Sequence, residues 1–466
     1  MLNKTNISSK VNGHAVVVGG SVAGLLTARI LCNHFHKITI IERDFYPEGD
    51  GPRKGLPQGH HQHFIMAQGQ KILEQLFPGI QAELGAAGAP LPDMGMAINF
   101  LFPTGWGPLF RCGQPTFVCS RPLVESRIRS RVAANSKVNI LENYEVTGLL
   151  PNSENTGVLG VYIHSCGSNF NGEFNTNEKL KADLVVDTSG RMSSAPKWLE
   201  KLGYGSPEET VVNAFLGYAT RWYERPTDFD ADWKGSLMFC RPPHFPRGGM
   251  IFSEETGLWI VTLLGSARDY PPTDELGFLE FARSLPSSRI YEAIKNARPL
   301  SPIYGYRNTR NCWRHYEKMT KWPEGFVALG DAVCAFNPVY GQGITVCILS
   351  AIKLDECLRK QRNCKPNGEI TGLSHYFQKQ LARVNAFPWR MATAEDFRWP
   401  STEGSKPKQI TRFMHWYLDQ VIALIPDNPE VYRTFLSVMN MIRPPRNLFE
   451  FNILVRVMLR MMKINI

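Results

Sequence analysis

Residues 19–24 read GGSVAG, and the serine in the middle decides what chemistry they could do. A serine after an apolar run and before a helical pattern comes within one residue of G-x-S-x-G, the elbow that exposes a hydrolase nucleophile. The same stretch comes within one residue of G-x-G-x-x-G, whose bare backbone lets a pyrophosphate approach a helix N-terminus. A nucleophile needs a later acid and histidine, and no downstream histidine sits in a recognisable strand-end loop beside a partner acid. A dinucleotide loop needs a carboxylate closing the second strand about 20 residues on, for the ribose hydroxyls. Glu42 stands there, at the end of KITIIE. Ser21 therefore reads as a small loop residue whose hydroxyl can add a hydrogen bond to phosphate.

Residues 326–343, FVALGDAVCAFNPVYGQG, offer a second half-site. A strand-like run ends in Gly330-Asp331, and Pro338, Gly341 and Gly343 precede a helical pattern. An aspartate at a strand end can bond a ribityl or ribose hydroxyl. Glycines before a helix present bare N–H groups to a phosphate or an electron-rich ring edge. A glycine-rich loop with an ordinary helix cap would read the same way. HHQH at 60–63 has the residue type for a metal, but no carboxylate or cysteine completes a ligand set, so no metal is expected.

The elements around these motifs follow from periodicity. His14–Val18 and Lys37–Glu42 read as buried strands with a helix from Val22 to Phe35 between them, a β-α-β unit. Helical patterns also cover Phe64–Leu76, Arg121–Ala133, 275–296 and Gly343–Leu358. Strand patterns cover 138–146, 182–191 (a buried strand ending in a glycine turn), 212–223 and the hairpin 248–265, whose turn is Glu255-Thr256-Gly257. An Asn-rich hairpin tip spans 152–178, and a polar linker spans 395–409. The 43% hydrophobic and 20% charged fractions suit a packed globular chain rather than a disordered one. Net charge +10 admits nucleic acid, an anionic membrane or an anionic cofactor, and the lack of basic runs interleaved with aromatics argues against nucleic acid. Ten scattered cysteines without C-x-x-C read as reduced thiols, and the N-terminus shows no signal peptide. A cytoplasmic protein is expected, with no membrane-spanning helix.

Taken together, GGSVAG, Glu42, DTSG at 187–190 and GDAVCAFNPVYGQG resemble the FAD-dependent monooxygenases of the aromatic-hydroxylase and squalene-epoxidase superfamily. RKGLPQGHHQH (53–63), VVDTSGR (185–191) and WPEGFVALGDAVCAFNPVYGQG (322–343) resemble its bacterial polyether-type (polyene) epoxidase branch. The resemblance implies an α/β fold. A Rossmann-type FAD-binding domain would be assembled from residues 12–75, 119–200 and 304–375. A substrate domain on an antiparallel sheet would use 76–118 and 201–303, and a helical region would follow over 376–466.

By the same resemblance, Gly19, Gly20, Ser21, Ala23 and Gly24 line the FAD pyrophosphate. Glu42 binds the adenosine ribose, with Arg43 beside it. Arg53, in the loop with His61 and His63, packs near the flavin. Arg121 sits over the phosphates and ribityl, Asp187 and Gly190 belong to the middle motif, and Asp331 bonds the ribityl or pyrophosphate region. Pro338, Gly341 and Gly343 line the isoalloxazine. The implied reaction passes one oxygen atom from O2, through a flavin C4a-hydroperoxide, to a lipophilic substrate by epoxidation or hydroxylation. NAD(P)H is the implied reductant. D-T-S-G replaces the D-G that helps single-component hydroxylases engage NADPH, and no second nucleotide loop occurs, which favours a separate flavin reductase. The W-x-W-x-I-P signature of flavin halogenases is absent. The alternatives are an FAD-dependent reductase or dehydrogenase of an isoprenoid double bond, and a non-catalytic membrane-associated flavoprotein. No catalytic side chain is assigned.

After Pro444-Pro445, Asn447 and Glu450 make an N-cap and N3 pair, and a helix to Lys463 is expected. Asn452, Arg456, Arg460 and Lys463 share one face of it, and nearly everything else is apolar. Two readings fit: a basic amphipathic helix in peripheral contact with a membrane, or a helix docked on the protein with a solvated stripe.

Overall fold

The computed structural model describes residues 13–53, 55–167, 177–227, 229, 233–365, 367–405 and 409–462. Lys463 of the expected C-terminal helix, the first residue of the expected 12–75 segment, and parts of the 152–178 hairpin and the 395–409 linker lie outside them. The fold is α/β. Five parallel strands form one sheet in the order Phe326–Ala328, Leu184–Asp187, His14–Val18, Lys37–Glu42, Val138–Glu142. The central strands are apolar along their length because helix Val22–Leu31 packs on His14–Val18 and Lys37–Glu42, while a three-stranded sheet of Tyr144–Pro151, Val158–Ser165 and Glu178–Lys181 packs against Lys37–Glu42 and Leu184–Asp187. Ala15, Val16 and Val17 are fully buried. Helix Val22–Leu31 makes the first crossover and packs against the 22-residue helix Gly343–Cys364.

Register brings the two sequence motifs to one level. Val18 pairs with Asp187, and Asp187 pairs with Ala328. The loops that leave these three adjacent strand ends, 19–21, 188–191 and 329–331, therefore start side by side at the carboxyl edge of the sheet, where open α/β sheets bind ligands.

A second, seven-stranded sheet runs Tyr304–Tyr306, Gly217–Tyr223, Trp259–Gly265, Arg247–Ser253, Gly235–Met238, Ile98–Phe102, Gly105–Trp106. It is antiparallel except where Gly235–Met238 pairs with Ile98–Phe102. Helices Glu275–Arg283 and Arg289–Ile294 cover one face through Phe278, Phe281 and Ile290. They are two helices rather than the single one expected over 275–296, because SLPSS at 284–288 carries Pro286 into the pattern. The C-terminal helices meet the other face: Tyr417 and Val421 from Gln409–Ala423, Tyr432 and Leu436 from Pro429–Met439, Ile453 and Val457 from Phe451–Met461.

The last helix starts at Phe451, not Asn447. Residues Pro445–Phe449 form a tighter turn, and Glu450 takes the cap position in extended conformation. No helix among the described residues is long and apolar enough to cross a membrane.

Candidate functional site

The strand-end loops open into one continuous cavity of about 2230 Å³ that runs from Ser21 and Arg121 to the C-terminal helices. A pocket for one drug-sized molecule spans about 300–1000 Å³, so this one can hold more than one ligand. Its two ends differ in kind. Arg43, Arg121 and Arg191 line the end near the parallel sheet, while Phe100, Phe102, Leu237, Phe239 and Met250 line the chamber over the second sheet.

At the polar end, the GGSVAG turn is held by close backbone packing. A Cβ on Gly24 would run into the Gly19 carbonyl oxygen, and Gly19 itself has φ +95°, so both positions need glycine. Ser21 is the N-cap of helix Val22–Leu31, yet its side chain does not cap. Its Oγ donates to Glu125 Oε2 at 2.9 Å and accepts from Arg121 Nη2 at 3.0 Å. With the hydroxyl spent on these two side chains and no acid–histidine pair on it, Ser21 is not built as a nucleophile. The first N–H groups of the helix keep no intrahelical partner and, with Arg121, suit an anion.

Arg121 is placed by its own helix. Ser120 Oγ accepts from Leu123 N at 3.3 Å, starting helix Arg121–Ala133 with Arg121 in its first turn and Glu125 one turn on. Arg121 Nη1 lies 3.2 Å from His63 Nε2. A guanidinium only donates, so His63 Nε2 accepts and its Nδ1 donates to the His61 carbonyl at 2.8 Å. Burial, then the Arg121 charge, pushes the His63 pKa down to about 3. His61 is held at about 4, mainly by burial, and bonds Thr220 Oγ1 at 2.8 Å, which in turn meets Thr262 Oγ1 at 2.8 Å. Both rings are neutral near pH 7.

Glu42 is not presented to the cavity. Its Oε2 accepts from Gly20 N at 2.8 Å, Oε1 accepts from Asp44 N at 3.0 Å, and Arg53 Nη1 pairs with it at 3.0 Å. Arg53 also reaches Glu125 at 2.7 Å. Arg53 thus bridges two buried acids. Burial works against its charge, but Glu125 and Glu42 overcome this and raise its pKa. The consequence is electrostatic: the guanidinium cancels carboxylates that would repel a phosphate at the loop. Gly20 likewise faces Tyr46, whose hydroxyl donates to its carbonyl at 2.5 Å.

The middle motif differs from expectation in the same way. Asp187 is fully buried, accepting from Ser189 N at 2.9 Å, Ser189 Oγ at 2.6 Å and Ser193 Oγ at 2.5 Å. It shapes the turn, while Thr188, Ser189, Gly190 and Arg191 reach the cavity. Asp331 lines the cavity, its pKa raised by burial against the pull of Arg191, Arg121 and Arg314. Pro338, Gly341 and Gly343 line it too, as do Ala23 and Arg43.

One cluster carries no sequence signal. Asp396, buried at the end of helix Leu373–Asp396, accepts from Asn311 Nδ2 at 2.5 Å, Asn337 Nδ2 at 3.0 Å and the Tyr340 hydroxyl at 2.7 Å. Asn337 N donates to Asn311 Oδ1 at 2.7 Å. Burial pushes the Asp396 pKa up to about 6. Asp396 thereby clamps the turn 337–341 that leads into helix Gly343–Cys364.

FAD can be tested against this donor set. A Cβ at Gly343 would meet nothing within 4 Å, leaving the helix start open to a flat ring. Buried Gln342 Oε1 has no hydrogen-bond partner among the described residues. Three arginines face one end of the cavity, and Asp331 and the 338–343 turn line the same space. These features fit a dinucleotide with a pyrophosphate, a polyol and a planar ring.

No family model matches the chain. Protein Rv3254 of Mycobacterium tuberculosis (strain ATCC 25618 / H37Rv) is 34% identical over 410 residues, with 84% of each chain covered. A triple mutant of the flavin-dependent brominase Bmp2 superposes with TM-score 0.65 at 14% identity, over 95% of this chain and 99% of that one. pqsL of Pseudomonas aeruginosa, described as a probable FAD-dependent monooxygenase, gives TM-score 0.59 at 14% identity, over 83% and 97%. The chain thus shares the fold of FAD-dependent halogenases and monooxygenases.

Proposed function

The chain belongs to the same family as Rv3254 of Mycobacterium tuberculosis, and from that premise and the cavity we propose that it is an FAD-dependent monooxygenase acting on a lipophilic substrate. One observation carries the reading: a single cavity joins an arginine-lined end at the GGSVAG turn to an apolar chamber. The pyrophosphate would rest on the N-terminus of helix Val22–Leu31 and Arg121, the ribityl chain beside Asp331, and the ring against Pro338–Gly343. Bound and reduced, FAD supplies the two electrons that let O2 place one oxygen atom on the substrate and leave the other as water.

The chain's own residues position and exclude. Phe100, Phe102, Leu237 and Met250 keep water from the reacting end and hold an apolar substrate against it. His61 and Thr262 give that wall a polar group that stays neutral above about pH 4. Asp396 holds the 337–341 turn in place. Epoxidation of an alkene or polyene suits an apolar chamber as well as hydroxylation does. Reduction through a separate flavin reductase is favoured, because Asp187 is spent on its own turn.

The test is oxygen dependence. FAD-loaded, reduced protein should convert a component of a lipid extract only when O2 is admitted. Equal conversion without O2 would make it a reductase or dehydrogenase. No conversion of any component would leave a flavoprotein carrier.

A further inference from the structure

We propose that the outer surface of helices Gln409–Ala423 and Phe451–Met461 docks on an anionic lipid surface, with the mouth of the cavity facing it. The docking stands apart from the oxygen-transfer reading; only the delivery of substrate rests on it.

Nine of the seventeen exposed large apolar side chains among the described residues fall between 410 and 462: Ile410, Phe413, Met414, Trp416, Ile442, Phe451, Met458, Met461 and Met462. Phe451, at 81%, is the most exposed of them all. Isolated exposed apolar residues are ordinary, but clustering of this kind marks an interaction surface. The two helices touch, and both press their inner stripes, Tyr417 and Val421 on one and Ile453 and Val457 on the other, into the same core. The Tyr417 and Phe449 rings stack at 4.4 Å, and the Tyr417 hydroxyl donates to the Leu448 carbonyl at 2.6 Å. Their outer faces therefore lie on the same side of the molecule. The last helix is at once docked and amphipathic, so the two sequence readings are not exclusive.

The position of the opening points to lipid rather than protein as the occupant. Ile410, Met414 and Ile442 line the cavity and are also exposed, so the apolar chamber opens within this patch. A protein partner seated there would seal the mouth, whereas a bilayer would let an apolar molecule enter without crossing water. The charges agree. Arg412, Arg446 and Arg460 are exposed and have no ion pair among the described residues. Of the nearby acids, Glu430, Glu450 and Asp419 are paired with Arg456, Arg443 and Arg398, leaving Asp427 as the exception. Basic residues beside exposed aromatics and methionines are what an interfacial surface requires.

The test uses the full chain with vesicles of phosphatidylcholine, with and without phosphatidylglycerol, in co-sedimentation at low and high salt. The unmodified protein should bind the anionic vesicles, more weakly as salt rises. Changing Arg412, Arg446 and Arg460 together to Gln should weaken that binding about a hundredfold at low salt. Changing Phe413, Trp416, Phe451 and Met461 together to Ser should abolish it. Both variants should keep their FAD and melting temperature, since none of these residues lines the cavity. Unmodified protein that stays free of anionic vesicles, or variants that bind as it does, would overturn the proposal. So would a dimer that the Ser variant splits while vesicles bind neither form.

Discussion

The two ends of the cavity are held by different means. Near the parallel sheet, backbone is a partner in the packing: Gly24 lies against the Gly19 carbonyl, the Glu42 carboxylate accepts the Gly20 and Asp44 N–H groups, and strand register brings three loops to one edge. Over the second sheet, the walls are apolar residues such as Phe100, Leu237, Met250 and Leu436, which come from elements far apart in the chain. A backbone-built end tolerates almost no change and fixes one ligand shape. A side-chain-built end can be reshaped without loss of the fold, so related chains could keep the cofactor and change the substrate.

Four substitutions test that contrast. Gly24→Val should have the largest effect, because its side chain must displace the Gly19 carbonyl. A cost of about 3 kcal/mol for overpacking weakens FAD binding more than a hundredfold, read by fluorescence titration. FAD bound as tightly as before would show that the turn is not backbone-limited.

The second concerns His61, between the two ends. Its pKa is about 4 in the fold, against 6.5 unperturbed. The unfolded chain therefore takes up its proton first as pH falls, and stability is lost from about pH 6.5 down to about 4. At pH 5 this amounts to about 2 kcal/mol. His61→Gln removes that part of the loss, so its denaturant midpoint should change less between pH 7 and pH 5 than that of the parent. Parallel pH profiles would contradict a buried neutral imidazole.

Third, Met414→Trp at the mouth should lower kcat/KM for a bulky substrate about tenfold, the 1 to 2 kcal/mol of an obstructed passage, with FAD affinity unchanged. A matching loss of FAD would mean that the ends are coupled. Smallest is Ser21→Ala. One hydroxyl hydrogen bond is worth about 1 kcal/mol, so FAD should be held no more than about fivefold less tightly. Loss of turnover with FAD still bound would return Ser21 to the role of nucleophile.

The same contrast explains what could be read from residue order. The β-α-β unit from His14 to Glu42 is legible because parallel strands buried on both faces must be apolar throughout and the turn between strand and helix must be glycine. Gly330 and Gly341, both at positive φ, are legible for the same reason, whereas Gly343, where a Cβ would meet nothing, is not demanded by the turn. What Glu42 and Arg53 do to each other is not, since pairing depends on how the 45–63 loop folds back. Asp396 was hidden twice over. It lies 85 residues from Asn311 in the chain, and its neighbours EDFRWP read as a polar linker. Amphipathic period identified an apolar face on the last helix, but Ile453 and Val457 take the core while Phe451 and Met458 face outward, a division that only the neighbouring helices decide.

In the proposed function, this cavity brings bound FAD, O2 and an apolar molecule together for transfer of one oxygen atom. The most direct measurement is mass spectrometry of products formed from a lipid extract by the FAD-loaded, reduced protein under 18O2. One product should carry a single 18O atom, and it should be absent under nitrogen and absent with Gly24→Val. A product that forms without label, or oxygen consumed only to hydrogen peroxide with every lipid unchanged, would contradict it.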